Sequence, residues 1–597
     1  MPHMLHHAII ANSARATIIG LLLLGGLPAQ AQPAADDPIK TIRPVTDAML
    51  LHPDPGDWVM WRRTYDGFGF SPLNQITRDN VHDLRVAWAW SMTNGITEIE
   101  PLEHDGVLYL WNAGEKVQAL NAVTGDLIWE FRHHLPDEIS HEGVNNFARR
   151  NMALYQGNLL IATADAHLMA LDAKTGKVVW DHVTADWKQG FRYTSGPVVM
   201  HGVVIQGMAG CDRAQPGGCF ITGHDAATGA EKWRVHTIAQ PDDPNSNSWN
   251  GLPVEQRFGA SSWIAGTYDP KRDLAYFGTG QPYPWIAEMR GTYPLKVAPG
   301  ISNTALYSDS TLAIDVSSGQ VKWYHQHLAN DTWDLDEVFE RILIDLPIRG
   351  AAREILVTTG KLGIIDALDR GTGEFLWARE TVPQTIVDKI DPVTGARTIN
   401  PATIPHIGQT TMHCPANPGA RNWPTTAYDP TTQTLYLPLN ELCGTVTPTP
   451  FQPGETYVSG GRAIFARSTL PGSDGKIGRV DAIHLTDRST TWSARQVAPT
   501  SSGVLPTAGG VVFAGGWDRV FRALDAASGK ELWRVRANNV INGGPISYSV
   551  NGRQYIAVTV GNGSGFGQML ATLVPKMAVP DGGSALWVFA LPEPTPR

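Results

Sequence analysis
The chain has 597 residues, with 42% hydrophobic and only 17% charged residues, and it carries 60 Gly, 42 Pro and 20 Trp. Turn formers and aromatics in such numbers, with few charges, fit an all-β protein built from many hairpins. The net charge is −10 and there is no basic run, which excludes a nucleic-acid surface, since phosphates demand clustered Lys and Arg.

At the N-terminus, Arg15 precedes an apolar run from Ala16 to Leu24, and Ala29-Gln30-Ala31 has the small-x-small form of a cleavage site. Residues 1–31 therefore read as a secretory signal, and the mature chain is expected in the periplasm or outside the cell. A membrane anchor is the alternative, but the run is too short to span, and no other segment is apolar enough to cross. Residues 32–55 read as a linker with a short helical lead-in at Val45–Leu50. A single domain is expected over 56–592, with a tail at 593–597.

A repeat then sets the architecture. It reads Ala, Gly six residues on, and Trp four further on: Ala119-Gly125-Trp129, Ala170-Gly176-Trp180, Ala313-Gly319-Trp323, Ala367-Gly373-Trp377 and Ala523-Gly529-Trp533. Gly223-Gly229-Trp233 and Ala482-Arg488-Trp492 are variants. Each copy predicts a strand, a turn whose Gly supplies positive φ, and a second strand carrying Trp. Such a hairpin cannot bury its own face, so the units must stack. Trp88, on a strand with no partner before it, and Ala585–Leu591, with none after it, complete an eighth copy. Pairing the chain ends removes free edges, so an eight-bladed β-propeller closed by its N- and C-terminal strands is expected. The wide gaps after Trp233 and Trp377 are expected to hold insertions that shape a site.

Cys211, Cys219, Cys414 and Cys443 are the four cysteines. An even number in an exported chain suggests disulfides, and nearness in sequence favours Cys211–Cys219 and Cys414–Cys443; a four-Cys zinc site is the alternative. No C-x-x-C-H is present, so covalently attached haem is not expected.

Between two apolar strand-like runs lies Asn330-Asp331-Thr332-Trp333-Asp334-Leu335-Asp336-Glu337. In an extended segment Asp334 and Asp336 point the same way, and paired carboxylates need a cation or shared proton between them. A solvated acidic loop is the plain alternative.

Further phrases are Gly218-Cys219-Phe220 followed by Gly223-His224-Asp225-Ala226-Ala227-Thr228-Gly229, then Gly360-Lys361-Leu362-Gly363, and then Arg421-Asn422-Trp423-Pro424. With the Trp repeat and the signal, the chain from about residue 40 to 592 resembles the soluble quinoprotein alcohol dehydrogenases, which use pyrroloquinoline quinone (PQQ). It is most similar to their sorbose/sorbosone dehydrogenase-like branch. The resemblance implies one metal ion beside PQQ, with Asp334 of the Trp333-Asp334 pair as the base that takes a substrate hydroxyl proton. It places Asp212 and Gln281 where the family has a metal-binding Glu and Asn, and adds Asp334 and Asp336 as further metal ligands. Trp263 matches the indole that stacks on PQQ. Glu98, Arg150, Thr194, Lys361 and Asn422 match groups contacting it, and Phe566 stands where the family has a late Trp. Plainer readings stay open: Trp263 as ordinary core, Arg150 as structural, with its neighbour Arg149 able to take the cofactor-contacting place instead, and Asp212 as a turn residue after Cys211.

The adjacent cysteines of the methanol dehydrogenases are missing; Glu142-Gly143-Val144-Asn145-Asn146-Phe147 stands there, which implies a wider entrance. Calcium is the expected metal, with a lanthanide open because of Asp336. The implied reaction oxidises a polyol, sugar or bulkier secondary alcohol. The implied acceptor is an external carrier such as cytochrome c. A non-catalytic propeller scaffold, and a hydrolase or sugar-binding propeller using the acids directly, are the competing classes.

Overall fold
The computed structural model describes residues 37–141, 148–211, 217–293, 299–348, 350–451, 462–561 and 565–593. The leader expected at 1–31 and the Glu142–Phe147 stretch lie outside the described residues. Within them the strands form eight four-stranded antiparallel sheets and three smaller ones. The first full sheet is Leu102–His104, Val107–Asn112, Lys116–Asn121 and Leu127–Arg132. Its second strand is buried at every position, while its fourth alternates between exposed and covered residues. This gradient recurs because inner strands are covered on both faces and outer ones on one.

The repeat explains both the hairpin and its docking. Asp172 Oδ1 accepts from the backbone N–H of Lys174 and Thr175 and from the Thr175 hydroxyl, which folds the turn. Gly176 follows at φ +69. Ala170 pairs with Trp180 across the hairpin. From Trp88 to Trp492 the repeat Trp reaches the next unit's turn, while Trp533 packs against Phe589 of the sheet built from the chain ends. The Trp129 indole donates to the Ala173 carbonyl at 3.0 Å, and a Cβ at Gly176 would come within 2.6 Å of its ring. Trp88, Trp180 and Trp233 make the same contact with the turns at Ala122, Ala226 and Val316. At the degenerate copy, Arg488 keeps positive φ (+62) and stacks its guanidinium 5.6 Å from the centre of the Trp377 ring. Gly223 stands in an Ala position because a Cβ there would meet its own Trp233.

Arg85–Ser91, which carries Trp88, pairs with Ala585–Ala590, so one sheet is built from both chain ends. Residues 38–51 are packed against that sheet's neighbourhood: Ile42, Val45 and Leu50 are buried in the largest core cluster, and Asp47–Leu51 is helical. After Trp233 the insertion holds the ribbon Phe258–Gly259 with Pro282–Tyr283 and the helix Ala287–Arg290. After Trp377 it holds a hairpin, Val387–Ile390 with Arg397–Ile399, and a three-stranded sheet of Thr411–His413, Leu442–Thr449 and Arg462–Thr469. Disulfides Cys211–Cys219 and Cys414–Cys443 engage all four cysteines.

Candidate active site
The acidic stretch is a buried turn, not an extended rim. Asp331 caps it: its carboxylate accepts from the N–H of Trp333 (2.7 Å) and of Leu335 (2.6 Å). The Trp333 indole anchors the turn by donating to the Thr403 carbonyl at 2.7 Å. Between these supports Asp334 takes the left-handed conformation, φ +68. Asp334 and Asp336 therefore converge through a strained turn, and the alternation expected of a strand is not what aims them. Both are buried, Asp334 at 8% exposure and Asp336 at 4%, which removes the solvated-loop alternative.

Lys361 is their shared partner. Its ammonium lies 2.8 Å from Asp334 Oδ1 and 2.7 Å from Asp336 Oδ2. Gln281 Nε2 donates to Asp334 Oδ1 at 2.7 Å, and the Trp263 indole donates to Asp336 Oδ1 at 3.3 Å. The close fit demands glycine at two neighbours: a Cβ on Gly280 would lie 2.2 Å from Asp336 Oδ1, and one on Gly360 would strike Glu337.

A second group adjoins through Trp263. The Arg150 guanidinium sits 4.8 Å from the centre of its ring, pairs with Glu98 at 2.6 Å and donates to the Thr194 carbonyl at 3.0 Å. The Thr194 hydroxyl reaches the Trp263 carbonyl at 3.5 Å. Phe566, on the helix Gly565–Ala571, shares an apolar cluster with Trp423, Phe339 and the half-buried Trp263. Asn422 is held within its own turn, donating to the Pro418 carbonyl, and none of its described bonds reaches the acids. Its turn is nonetheless tied to Lys361, whose carbonyl accepts from Ala420 N–H. Asp212 lies outside the described residues.

Burial pushes the Asp334 carboxyl up to about 8, against the attraction of Lys361 and helped by the repulsion of Asp336. Burial works against the Lys361 ammonium too, but Asp334 and Asp336 outweigh it and hold its pKa above the usual lysine value. A charged Lys361 is the direction that stands for this trio, because the two acids supply more attraction than burial removes. Burial also pushes Glu337 up to about 8, opposed by Arg397, which lies 3.3 Å away.

The structure adds acids and bases that no motif marked. Asp309 is buried among Asp331, Asp336 and Glu337. Burial, then those neighbours, pushes its carboxyl well above the usual range. Arg467, on the inserted strand Arg462–Thr469, feels the charge of Asp334 and donates to Asn417 at 3.1 Å. Neither carries a spacing signal, since each reaches the site from a distant segment.

The residues fit a hard cation and a planar anionic cofactor. Gln281 Oε1 is buried and has no partner, next to two converging carboxylates, which makes a set of oxygen donors. The half-buried indole of Trp263 and the cations Arg150 and Lys361 suit a flat, negatively charged ring system.

The sheets and this site define a quinoprotein of β-propeller fold. The chain matches the family described as "PQQ: Glucose/ethanol/alcohol dehydrogenase, beta-propeller domain" over residues 58–391 and 473–556. It belongs to that family of PQQ-dependent alcohol dehydrogenases, and is an oxidoreductase. It is 32% identical to the dehydrogenase subunit of a quinone-type alcohol dehydrogenase of Acetobacter aceti, covering 93% of this chain and 78% of that one. It is 30% identical to the quinohemoprotein alcohol dehydrogenase ADH-IIG of Pseudomonas putida, covering 97% of this chain and 82% of that one. Among solved structures it superposes on a europium-containing methanol dehydrogenase with a TM-score of 0.81 and 27% identity, covering 91% of this chain and all of the other.

Proposed function
We propose that this chain oxidises an alcohol group of a polyol, sugar or bulkier secondary alcohol to a carbonyl, using PQQ and one metal ion, and passes the electrons to an external cytochrome c-type carrier. The observation that carries this reading is the convergence of Asp334 and Asp336 on Lys361, with Gln281 and Trp263 donating to the two acids and Gln281 Oε1 left buried without a partner. On this reading the eight four-stranded sheets are the blades of one closed ring over residues 56–592, with the site at its centre.

Asp334 is the base. Its carboxylate bonds to Lys361 and Gln281 both fall on Oδ1, which leaves Oδ2 to take the substrate hydroxyl proton. Bound PQQ supplies the acceptor for the substrate hydride, and the metal supplies Lewis acidity. Asp334, Asp336, Gln281 and Asp212 would hold the metal. Trp263 offers its indole face to the cofactor ring. Arg150, paired with Glu98, and Lys361 oppose the negative charge that reduction builds up. Thr194, Asn422 and Phe566 complete the wall.

Calcium suits the oxygen donors. Asp336 adds the negative charge that would favour a trivalent lanthanide, and the similarity to a europium-containing enzyme keeps that choice in the test. On this reading the electron acceptor is a separate carrier. The disulfides, with the leader expected at residues 1–31, favour a periplasmic location. Among the described residues no helix is long and apolar enough to cross a membrane.

The test is reconstitution of the apo-protein with PQQ plus either Ca²⁺ or La³⁺, followed by an alcohol screen with an artificial electron acceptor. Uptake of PQQ absorbance with alcohol-dependent reduction of the acceptor is expected. Failure to take up PQQ with either ion overturns the reading in favour of a scaffold.

A further inference from the structure
Away from this site, three side chains from two neighbouring sheets meet in a way the dehydrogenase reaction does not use. His133 follows the outer strand Leu127–Arg132 of one sheet. In the next, Asp165 belongs to the turn between Asn158–Ala162 and His167–Asp172, and His167 opens the second of these strands. His133 Nε2 lies 2.9 Å from Asp165 Oδ2, and His167 Nε2 lies 3.7 Å from the same oxygen. One donor atom from each of the three falls within 4.8 Å of the other two. Around a tetrahedral ion with bonds of about 2.0–2.2 Å, donor atoms stand roughly 3.3 Å apart. Small side-chain rotations therefore bring all three onto one ion.

The hydrogen bonds around the group set its donor atoms toward one another. Asp181 Oδ1 lies 2.8 Å from His167 Nδ1. A carboxylate can only accept, so Nδ1 carries a proton, and this bond fixes the ring with Nε2, the nitrogen a metal ion would take, turned toward Asp165. Asp181 is thus placed as the outer carboxylate that orients a metal-bound histidine. Thr163 braces the inner carboxylate, its hydroxyl donating to Asp165 Oδ1 at 2.5 Å. Asp165 is buried, while His133 and His167 keep 13% and 21% of their side-chain surface, so an ion has a way in and an open coordination position.

We propose that His133, Asp165 and His167 form a second metal site, selective for a borderline divalent ion of the zinc class. Two imidazoles and one carboxylate match the ligand preference of Zn²⁺, Ni²⁺ or Cu²⁺. They are too few oxygens for Ca²⁺ or a lanthanide, which take six or more. The bound ion joins the two sheets. It also steadies the segment that carries Arg149 and Arg150: the His133 N–H donates to the Glu115 carbonyl at 3.0 Å, and the Glu115 carboxylate holds both the Ala164 N–H and Arg149.

The proposal is tested on the protein reconstituted with PQQ and Ca²⁺, titrated with ZnCl₂ and assayed for bound zinc by elemental mass spectrometry. Wild type is expected to bind one more equivalent of Zn²⁺ than His133→Gln or His167→Gln, and to melt a few degrees higher with zinc, a shift both variants lose. His201→Gln, at an exposed histidine elsewhere, is expected to behave as wild type. Asp181→Asn, at a partly exposed position that leaves the fold intact, is expected to weaken zinc binding roughly 10- to 100-fold. Equal zinc stoichiometry in wild type and both histidine variants overturns the site. So does unchanged zinc affinity in Asp181→Asn if either histidine variant fails to fold.

Discussion
The Lys361 ammonium donates twice to Asp334, to its carboxylate Oδ1 at 2.8 Å and to its backbone carbonyl at 3.0 Å. The two bonds hold one residue by side chain and main chain together, across a turn whose φ is +68. Removing one partner of a buried ion pair costs about 3–5 kcal/mol because the other charge stays buried. Lys361→Gln is accordingly expected to destabilise the metal-free protein by about that much, with added metal restoring part of the loss. Urea unfolding with and without the ion reads both effects. A loss under about 1 kcal/mol would show that the lysine does not hold the turn.

Asp334→Asn keeps the size and the Oδ1 acceptor but removes the basic oxygen. Loss of a general base is worth about 10²–10⁴ in rate. Steady-state kinetics are expected to show kcat down by that range, with PQQ still bound in equimolar amount. Retained turnover would refute the base assignment.

Gly280→Ala is expected to act through Asp336. The added Cβ would stand 2.2 Å from Asp336 Oδ1, so the carboxylate must move off the site. If Asp336 is a ligand, metal affinity falls while the unfolding transition shifts only modestly. An unchanged metal titration would show that Asp336 lies outside the coordination sphere.

Arg488 tests the degenerate repeat. A non-glycine residue in the left-handed region costs about 1–2 kcal/mol, and stacking on Trp377 returns about 0.5–1 kcal/mol at a surface site. Arg488→Gly therefore raises stability by at most about 1.5 kcal/mol, while Arg488→Gln keeps the strain and loses the stacking. Gln is expected to be the less stable of the two by denaturant midpoint, and the reverse order would remove the stacking argument.

His413 gives a pH signature. It is buried with neither ring nitrogen partnered, and burial lowers its pKa to about 4. The unfolded chain takes up this proton near pH 6.5, so between pH 6.5 and 4 the unfolded state binds more protons. The stabilising contribution is full above 6.5 and lost as pH falls through about 4. Linkage makes it about 3 kcal/mol. The stability of wild type relative to His413→Leu is expected to fall by about that amount from pH 7 to pH 4. A gap independent of pH would mean that His413 gains a partner or water.

The architecture was legible in the sequence because its causes are local. An Asp that caps the N–H two and three residues on, a Gly at positive φ and a Trp four residues later are written at fixed spacing. One copy therefore predicts the next, down to the strand pair made by the chain ends. The disulfides followed from nearness for the same reason. The convergence at the site has no such period. Gln281, Trp263 and Lys361 reach Asp334 and Asp336 from other segments, and only the resemblance to a family named them. Asp309 and Arg467 had not even that. Tertiary structure alone decided that the acidic turn is buried, that Asp334 is left-handed, and that Gln281 meets Asp334 through Nε2 while its Oε1 stays without a partner. It also decided that His133 meets Asp165 and His167. Burial and convergence depend on how separate sheets dock, and docking is set by packing summed over the whole chain, which no short spacing records.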